Sequence, residues 1–135
     1  MIKLIIPGEP VAKGRPRLGR FGTYTPDKTV NYENFVKQMF VISRQAMIQG
    51  KPNLKAIIDC YFSIPKSTSK KKLPLMITNE LRPTKKPDCD NVAKIILDAL
   101  NKIGYADDSQ IVELTVFKWY SLEPRVEVEI SEIEG

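Results

Sequence analysis

The sequence contains no histidine and only two cysteines among its 135 residues. Without histidine, the Ser-His and Cys-His nucleophile systems, zinc sites built on imidazole, and nuclease mechanisms that need a histidine base are all excluded. If the protein is an enzyme, carboxylates and amines must carry its chemistry.

Long apolar runs are missing as well. No run approaches the roughly 18 apolar residues of a membrane span, which excludes a membrane protein. The N-terminus lacks the apolar segment of a secretory signal, and Cys60 and Cys89 have no C-x-x-C spacing, so we expect a cytoplasmic location. The length suits one hydrophobic core and not two, which predicts a single domain over residues 1–135.

Acidic residues are scarce in most of the chain. The net charge is +5, but 19 of the 21 basic residues lie in positions 1–104, together with only 8 of the 16 acidic ones. This asymmetry favours a polyanionic partner, and nucleic acid first. The alternative is that the excess of lysine and arginine only keeps the surface soluble.

Hydrophobic periodicity predicts six elements. Strands are expected at residues 2–6, 54–64, 110–120 and 125–130, and helices at residues 31–49 and 90–103. The order is β-α-β-α-β-β. We therefore predict an α+β fold in which two helices pack on a mixed four-stranded sheet, and the last two strands form a hairpin.

Two polar loops hold most of the cations. The first, residues 13–28, interleaves basic residues with glycine, proline, Phe21 and Tyr24, a composition that predicts no regular element. Such loops can approach phosphates and stack aromatic rings on unpaired bases, or can be solvated surface segments. The second covers residues 66–86. The candidate DNA-binding residues in the two loops are Lys13, Arg15, Arg17, Arg20, Lys70, Lys71, Lys72, Lys85 and Lys86.

Acidic residues cluster where the second loop meets the second predicted helix. Asp88 and Asp90 lie at its start, Lys94 follows one turn later on the same polar face, and Asp107 and Asp108 come just after its end. Each can be purely structural, as a helix cap, an i,i+4 ion pair or a turn residue. The functional hypothesis is that the carboxylates bind Mg²⁺, which can activate water for attack on a phosphodiester without histidine.

The motifs in this region carry a family resemblance. Residues 86–94 (KPDCDNVAK), 97–101 (LDALN) and 107–111 (DDSQI), and more loosely 13–17 (KGRPR), 24–26 (YTP) and the Tyr32-Glu33 pair, resemble the RusA-type Holliday junction resolvases. These small endodeoxyribonucleases are common in prophages, and the resemblance covers most of the chain.

The resemblance implies an α+β homodimer that binds four-way junction DNA and makes paired nicks with Mg²⁺, for which we expect Mn²⁺ to substitute. It implies that Asp88, Asp90 and Asp108 are metal ligands and that Lys94 is the essential lysine. The segment before the aspartate pair is one residue shorter than in the best-known member, so Asp107 is the alternative third ligand.

We therefore expect an enzyme of DNA recombination and repair, a Mg²⁺-dependent Holliday junction endodeoxyribonuclease. A non-catalytic branched-DNA-binding protein and a flap or fork nuclease with the same metal site are the alternatives. The predicted helix of residues 90–103 advances about 20 Å, and the steps to Asp108 recover at most about 17 Å. This length argument predicts that a two-fold dimer shares each active site between its subunits.

Overall fold

A mixed sheet of four strands and two long helices make up the core of the computed structural model, which describes residues 1–134. Along the chain the elements are β1 (Ile2–Pro7), β2 (Arg17–Gly19), β3 (Gly22–Tyr24), α1 (Asp27–Ile42), β4 (Leu54–Ser63), α2 (Lys72–Ile77), α3 (Cys89–Leu100), a short 3-10 turn (Asp108–Gln110), β5 (Ile111–Ser121) and β6 (Arg125–Glu132). The strand order across the sheet is β1-β6-β4-β5, with β4 and β5 parallel and the other neighbours antiparallel. The predicted α+β class and mixed four-stranded sheet are therefore confirmed.

One face of the sheet forms the hydrophobic core with α1 and α3. Buried positions alternate along β1, β4 and β6, as the period of two in a strand requires. They join buried residues of the two helices in one cluster. The contribution of α3 is its apolar arc, Val92, Ala93, Ile95, Ile96, Ala99 and Leu100. This packing fixes α3 and leaves its polar stripe facing outward.

The predicted hairpin between the last two strands is wrong, because β4 lies between β5 and β6. Every second residue of β4 is at most 1% exposed. Because β4 has this fully buried apolar face, it takes a central position in the sheet, between β5 and β6. Val112 and Leu114 of β5 are 56% and 47% exposed, which suits a strand at the sheet edge. Residues 122–124 therefore connect β5 to β6 across the end of β4. The distance they span is about 10 Å, the separation of two strands with one strand between them.

Three elements, β2, β3 and α2, lie in the two polar loops, where the sequence indicated no helix or strand, so the observed order is longer than β-α-β-α-β-β. The prediction of no regular element in residues 13–28 is wrong, since β2 and β3 pair as a small hairpin with Gly19 opposite Gly22. The second basic loop contains the short helix α2. Short elements of this kind carry too few residues for a hydrophobic period to be recognised.

Helix α1 begins and ends earlier than the predicted 31–49. It starts after Pro26, whose φ of −57° suits a helix start, and Arg44, with φ of 57°, follows its end. The Gln45 side chain then bonds to both the main-chain N–H and C=O of Lys3, at 2.8 and 2.6 Å, so this segment lines β1 rather than extending the helix. Among residues 1–134, no helix combines the length and apolarity needed to cross a bilayer.

Candidate active site

Two aspartates and one lysine are exposed at the start of α3 and along its first two turns. Asp88 precedes the helix in an extended conformation, and its carboxylate makes no capping hydrogen bond within the described chain. Asp90 and Lys94 are exposed and take part in no salt bridge among residues 1–134. The capping and ion-pair interpretations of these residues therefore have no support in the geometry, and both carboxylates are open to a ligand.

The chain after α3 turns back along the helix and brings Asp108 beside it. The helix ends at Leu100, a turn earlier than predicted, and the main-chain N–H of Asp108 bonds to Asn101 Oδ1 at 3.1 Å. The Tyr105 hydroxyl lies 2.6 Å from Asp108 Oδ1 and 2.8 Å from the carbonyl oxygen of Leu97. The length argument thus underestimated how directly the chain doubles back, because it assumed a longer helix.

The two neighbouring aspartates have different partners. Asp107 forms a capping box: its carboxylate accepts the N–H of Ser109 at 3.1 Å, and Gln110 Oε1 accepts the N–H of Asp107 at 2.8 Å. Asp107 therefore performs the turn chemistry that the structural interpretation predicted. Asp108 instead turns toward α3, where Lys94 lies close enough to affect its ionisation.

The electrostatics single out Asp108 among the acidic residues. Burial raises the pKa of Asp108 above its usual value, and the hydrogen bond from Tyr105 lowers this pKa in part. The negative charge of Asp98 raises the same pKa further, and the positive charge of Lys94 lowers it. Burial also raises the pKa of Tyr105, and its contact with Asp108 raises it further. Hydrogen bonds from Ser109 lower the pKa of Asp107. Asp108 is therefore a partly desolvated carboxyl within electrostatic range of Lys94, a pattern typical of functional sites.

Lys13 links the first basic loop to both helices. Its Nζ lies 3.1 Å from Glu33 Oε2 on α1 and 3.2 Å from Asp98 Oδ2 on α3, and its main-chain N–H bonds to the carbonyl oxygen of Asn91 at 3.1 Å. Although burial lowers the pKa of Lys13, the hydrogen bonds to Glu33 and Asp98 outweigh this and raise it. The ammonium group thus bridges α1 and α3, while the main-chain hydrogen bond to Asn91 holds the loop beside the start of α3.

A cleft of about 810 Å³ lies between this loop and the start of α3. Arg15, Arg17, Lys28 and Lys86 line it, and Asp88 lies in its wall. Cations that track a groove beside open carboxylates are suited to holding a phosphodiester backbone next to a metal site. We call this feature the basic cleft.

The remaining candidate cations lie elsewhere. Arg20 is in the turn of the β2–β3 hairpin, while Lys70, Lys71 and Lys72 lie at or just before the start of α2 and do not line the basic cleft. The carbonyl oxygen of Lys85 accepts a 2.6 Å hydrogen bond from Lys118 Nζ on β5. This bond ties the segment before Asp88 to the sheet edge.

The donor atoms suit a hard cation, although one chain does not supply a complete cage. Within residues 1–134, no three acidic or cysteine side chains come close enough to hold one metal ion together. Asp88 and Asp90 lie at the beginning of α3, whereas Asp108 lies near its second half, where the Tyr105 hydroxyl is within hydrogen-bond distance of both Asp108 and the carbonyl oxygen of Leu97. Along the helix axis, Asp90 and Leu97 are about 10 Å apart at 1.5 Å per residue.

Sequence reasoning missed three residues of this region. Asp98 lies one turn after Lys94 on the polar face of the helix, and this spacing was a usable signal. Glu33 gave no such signal, because its contact with Lys13 joins residues 20 positions apart. Tyr105, which is 0% exposed, gave no such signal either, because only the fold reveals the partners of its hydroxyl.

Comparisons with known proteins agree with the motifs. The family model "Endodeoxyribonuclease RusA" matches residues 7–131 of the chain. The chain is also 42% identical, over 141 aligned positions, to "Uncharacterized protein YqaN" of Bacillus subtilis (strain 168), an alignment that covers 99% of this chain and 98% of that protein. The chain therefore belongs to the RusA endodeoxyribonuclease family.

Proposed function

We propose that the protein is a Mg²⁺-dependent, structure-selective endodeoxyribonuclease that resolves Holliday junctions by paired nicks. Family membership supports junction-resolving endonuclease activity. The observation that carries the more specific proposal is the exposed, unpaired carboxylate of Asp88 in the wall of the basic cleft, with Asp90 two residues away.

The proposed metal ligands are Asp88 and Asp90, with Asp108 as the third carboxylate. Mg²⁺ in proteins is commonly held by one or two carboxylates, with waters and substrate phosphates completing its shell, so the two open carboxylates fit this ion. Bound Mg²⁺ supplies an activated water and neutralises charge on the phosphate. We prefer Asp108 to Asp107 because the Asp107 carboxylate caps the 3-10 turn, whereas Asp108 turns toward α3 and Lys94. Mn²⁺, which also accepts oxygen ligands, should substitute.

The chain's own cations have separate tasks in this proposal. Lys94, exposed between Asp90 and the position of Asp108, is placed to offset charge on the reacting phosphate. Arg15, Arg17 and Lys86 bind the DNA backbone along the cleft and supply affinity rather than chemistry.

We further propose that the working unit is a homodimer. Two opposed strands of a four-way junction must be nicked, and a two-fold dimer provides two symmetry-related sites. The exposed apolar residues of β5, at one edge of the sheet, are surface that a second chain can cover. Because residues 1–134 of one chain do not bring three carboxylates together, we propose that Asp108 of a second chain completes the site formed by Asp88 and Asp90.

Subunit exchange tests the shared site. Inactive Asp90→Asn and Asp108→Asn proteins are mixed under exchange conditions and assayed on a labelled junction. In a shared-site heterodimer one site collects both substitutions and the other has neither, so single-strand nicking should return. A heterodimer that forms but stays inactive would mean that each site is built within one chain, and that the loop carrying Asp108 approaches Asp90 when the ion binds.

The main experiment compares wild-type protein and Asp88→Asn on a synthetic four-way junction, a fork, a flap and a plain duplex, with Mg²⁺ or with EDTA. The wild type should make paired nicks in the junction only with Mg²⁺, and Asp88→Asn should bind the junction without cutting it. Glu80→Gln, which removes an exposed negative charge after α2, is the matched control and should cut normally.

The same panel distinguishes the alternatives. Faster cutting of the fork or flap than of the junction would assign the metal site to a flap or fork nuclease. Tight junction binding with no cleavage in Mg²⁺ or Mn²⁺ would make the protein a structure-specific binding protein, and the enzymatic proposal would fail.

A further inference from the structure

The β2–β3 hairpin projects apolar side chains into solvent. All six residues of its two strands are exposed. Phe21, in the turn, is 97% exposed, and Leu18 is 87% exposed. A two-stranded hairpin with no buried face is at best marginally stable in water. A phenylalanine that contributes nothing to the core in such an element calls for an explanation outside the core.

The turn places Phe21 beside an arginine at the outermost point of the hairpin. Gly19 pairs with Gly22, so that only Arg20 and Phe21 form the loop, and Gly22 has φ of +117°. The guanidinium carbon of Arg20 lies 5.7 Å from the centre of the Phe21 ring. An aromatic face and a cation are thus presented together by a tight turn.

The charge around the hairpin selects the kind of partner. Between Glu9 and Asp27 the sequence has no acidic residue and four cations, Lys13, Arg15, Arg17 and Arg20. An apolar protein surface would not complement this charge. A single strand of nucleic acid does, because aromatic rings stack on bases while arginines bind the phosphates.

The hairpin adjoins the basic cleft. Arg17 begins β2 and also lines the cleft with Asp88. Phe21 follows four residues later, so its backbone lies at most about 13–14 Å from that of Arg17. At 3.4 Å of axial rise per nucleotide in a strand, this reach corresponds to about four nucleotides. In an intact duplex the bases within that distance are stacked, whereas a branch point exposes their faces.

We propose that the hairpin tip recognises the branch point, with Phe21 stacking on an unpaired or unstacked base and Arg20 contacting the adjacent phosphate. This inference rests on the proposed function for its substrate, and it assigns to Phe21 the discrimination between branched and duplex DNA. The cleft cations then hold any DNA, and the hairpin tip adds affinity where a base face is available.

The test measures equilibrium binding in EDTA, so that cleavage plays no part. Full-length wild type, Phe21→Ala, Phe21→Trp and Leu18→Ala are titrated against a four-way junction and a duplex of equal length, and against a junction carrying 2-aminopurine at the branch point. Leu18→Ala is the matched control because it removes another exposed apolar side chain from the same hairpin. Circular dichroism establishes that each variant is folded.

Phe21→Ala should raise the Kd for the junction about 5-fold or more, the range for loss of one base–aromatic stack. Its Kd for duplex should change by less than about 2-fold, and the salt dependence should not change, because no phosphate contact is removed. The 2-aminopurine signal of the wild-type complex should be lost in Phe21→Ala and kept in Phe21→Trp and Leu18→Ala.

Three results would overturn the inference. Equal losses on junction and duplex would make the ring a general contact, and unchanged junction binding would leave it without a role. If wild type binds anionic phospholipid vesicles and Phe21→Ala does not, while both bind DNA equally, the hairpin tip contacts a membrane surface instead. If the wild type fails to nick the junction in Mg²⁺, the proposed nuclease activity is refuted. The comparison of junction and duplex binding in EDTA still tests the role of Phe21, because it does not depend on cleavage.

Discussion

Replacing Tyr105 with phenylalanine isolates one hydrogen bond in the candidate active site. The single hydroxyl hydrogen of Tyr105 has two acceptors within reach. The charged carboxylate of Asp108 at 2.6 Å is the nearer and stronger acceptor than the carbonyl oxygen of Leu97 at 2.8 Å, so we assign the hydrogen bond to Asp108. The substitution keeps the buried ring and opens no sizeable cavity. The variant loses a hydrogen bond to a charged group, but it no longer has to bury a polar hydroxyl. The free energy of unfolding should therefore fall by about 1–2 kcal/mol, and Tm by about 3–8 °C.

The nicking rate should respond more strongly than stability, because the Tyr105 bond fixes the orientation of the Asp108 carboxylate. We expect kcat on the junction to fall about 10-fold with little change in junction Kd. The bond also lowers the pKa of Asp108 against the effect of burial. Its removal should raise that pKa, so activity should be lost at a higher pH on acidification. If Tyr105→Phe has a lower Tm but the same nicking rate as wild type, and loses activity at the same acidic pH, Tyr105 serves only the fold.

The basic loop gives two more predictions. Replacing Arg15 and Arg17 with alanine should weaken DNA binding and flatten the dependence of log Kd on log salt by about 0.9 per lost phosphate contact, measured by fluorescence anisotropy, whereas Lys37→Ala on the exposed side of α1 should leave the slope unchanged. Lys13→Ala leaves two partly buried carboxylates without their shared cation and should cost about 1–2 kcal/mol, seen as a lower Tm. If Lys13→Ala and Arg15→Ala have the same Tm, the ion pairs of Lys13 with Glu33 and Asp98 do not stabilise the loop.

The sheet and the start of α3 could be predicted from sequence because their signals are local. Alternation along residues 54–64 identifies a strand, and the apolar arc after Asp90 identifies a buried helix face. The order of strands could not be predicted, since it depends on which strand takes the centre, and pairings such as Ile58 with Val128 join residues far apart in the chain.

The candidate site divides in the same way. Asp88, Asp90 and Lys94 lie within one stretch of seven residues, so spacing alone placed them together. The approach of Asp108 to the helix depends on where α3 ends and on the buried hydroxyl of Tyr105, which pattern reasoning cannot detect. Lys13 was expected to contact DNA, and its bridge to two helices emerges only from the tertiary fold.

We propose above that open carboxylates at the start of α3 bind the catalytic ion beside the basic cleft. The most direct test of this proposal is the rate of paired nicking of a four-way junction by wild type and Asp90→Asn as Mg²⁺ is titrated, with junction binding measured in parallel. We predict a rate that saturates with Mg²⁺ in the wild type and falls about 100-fold or more in Asp90→Asn, with junction binding retained. Near-normal nicking by Asp90→Asn, or wild-type nicking that persists in EDTA, would refute the proposed metal site.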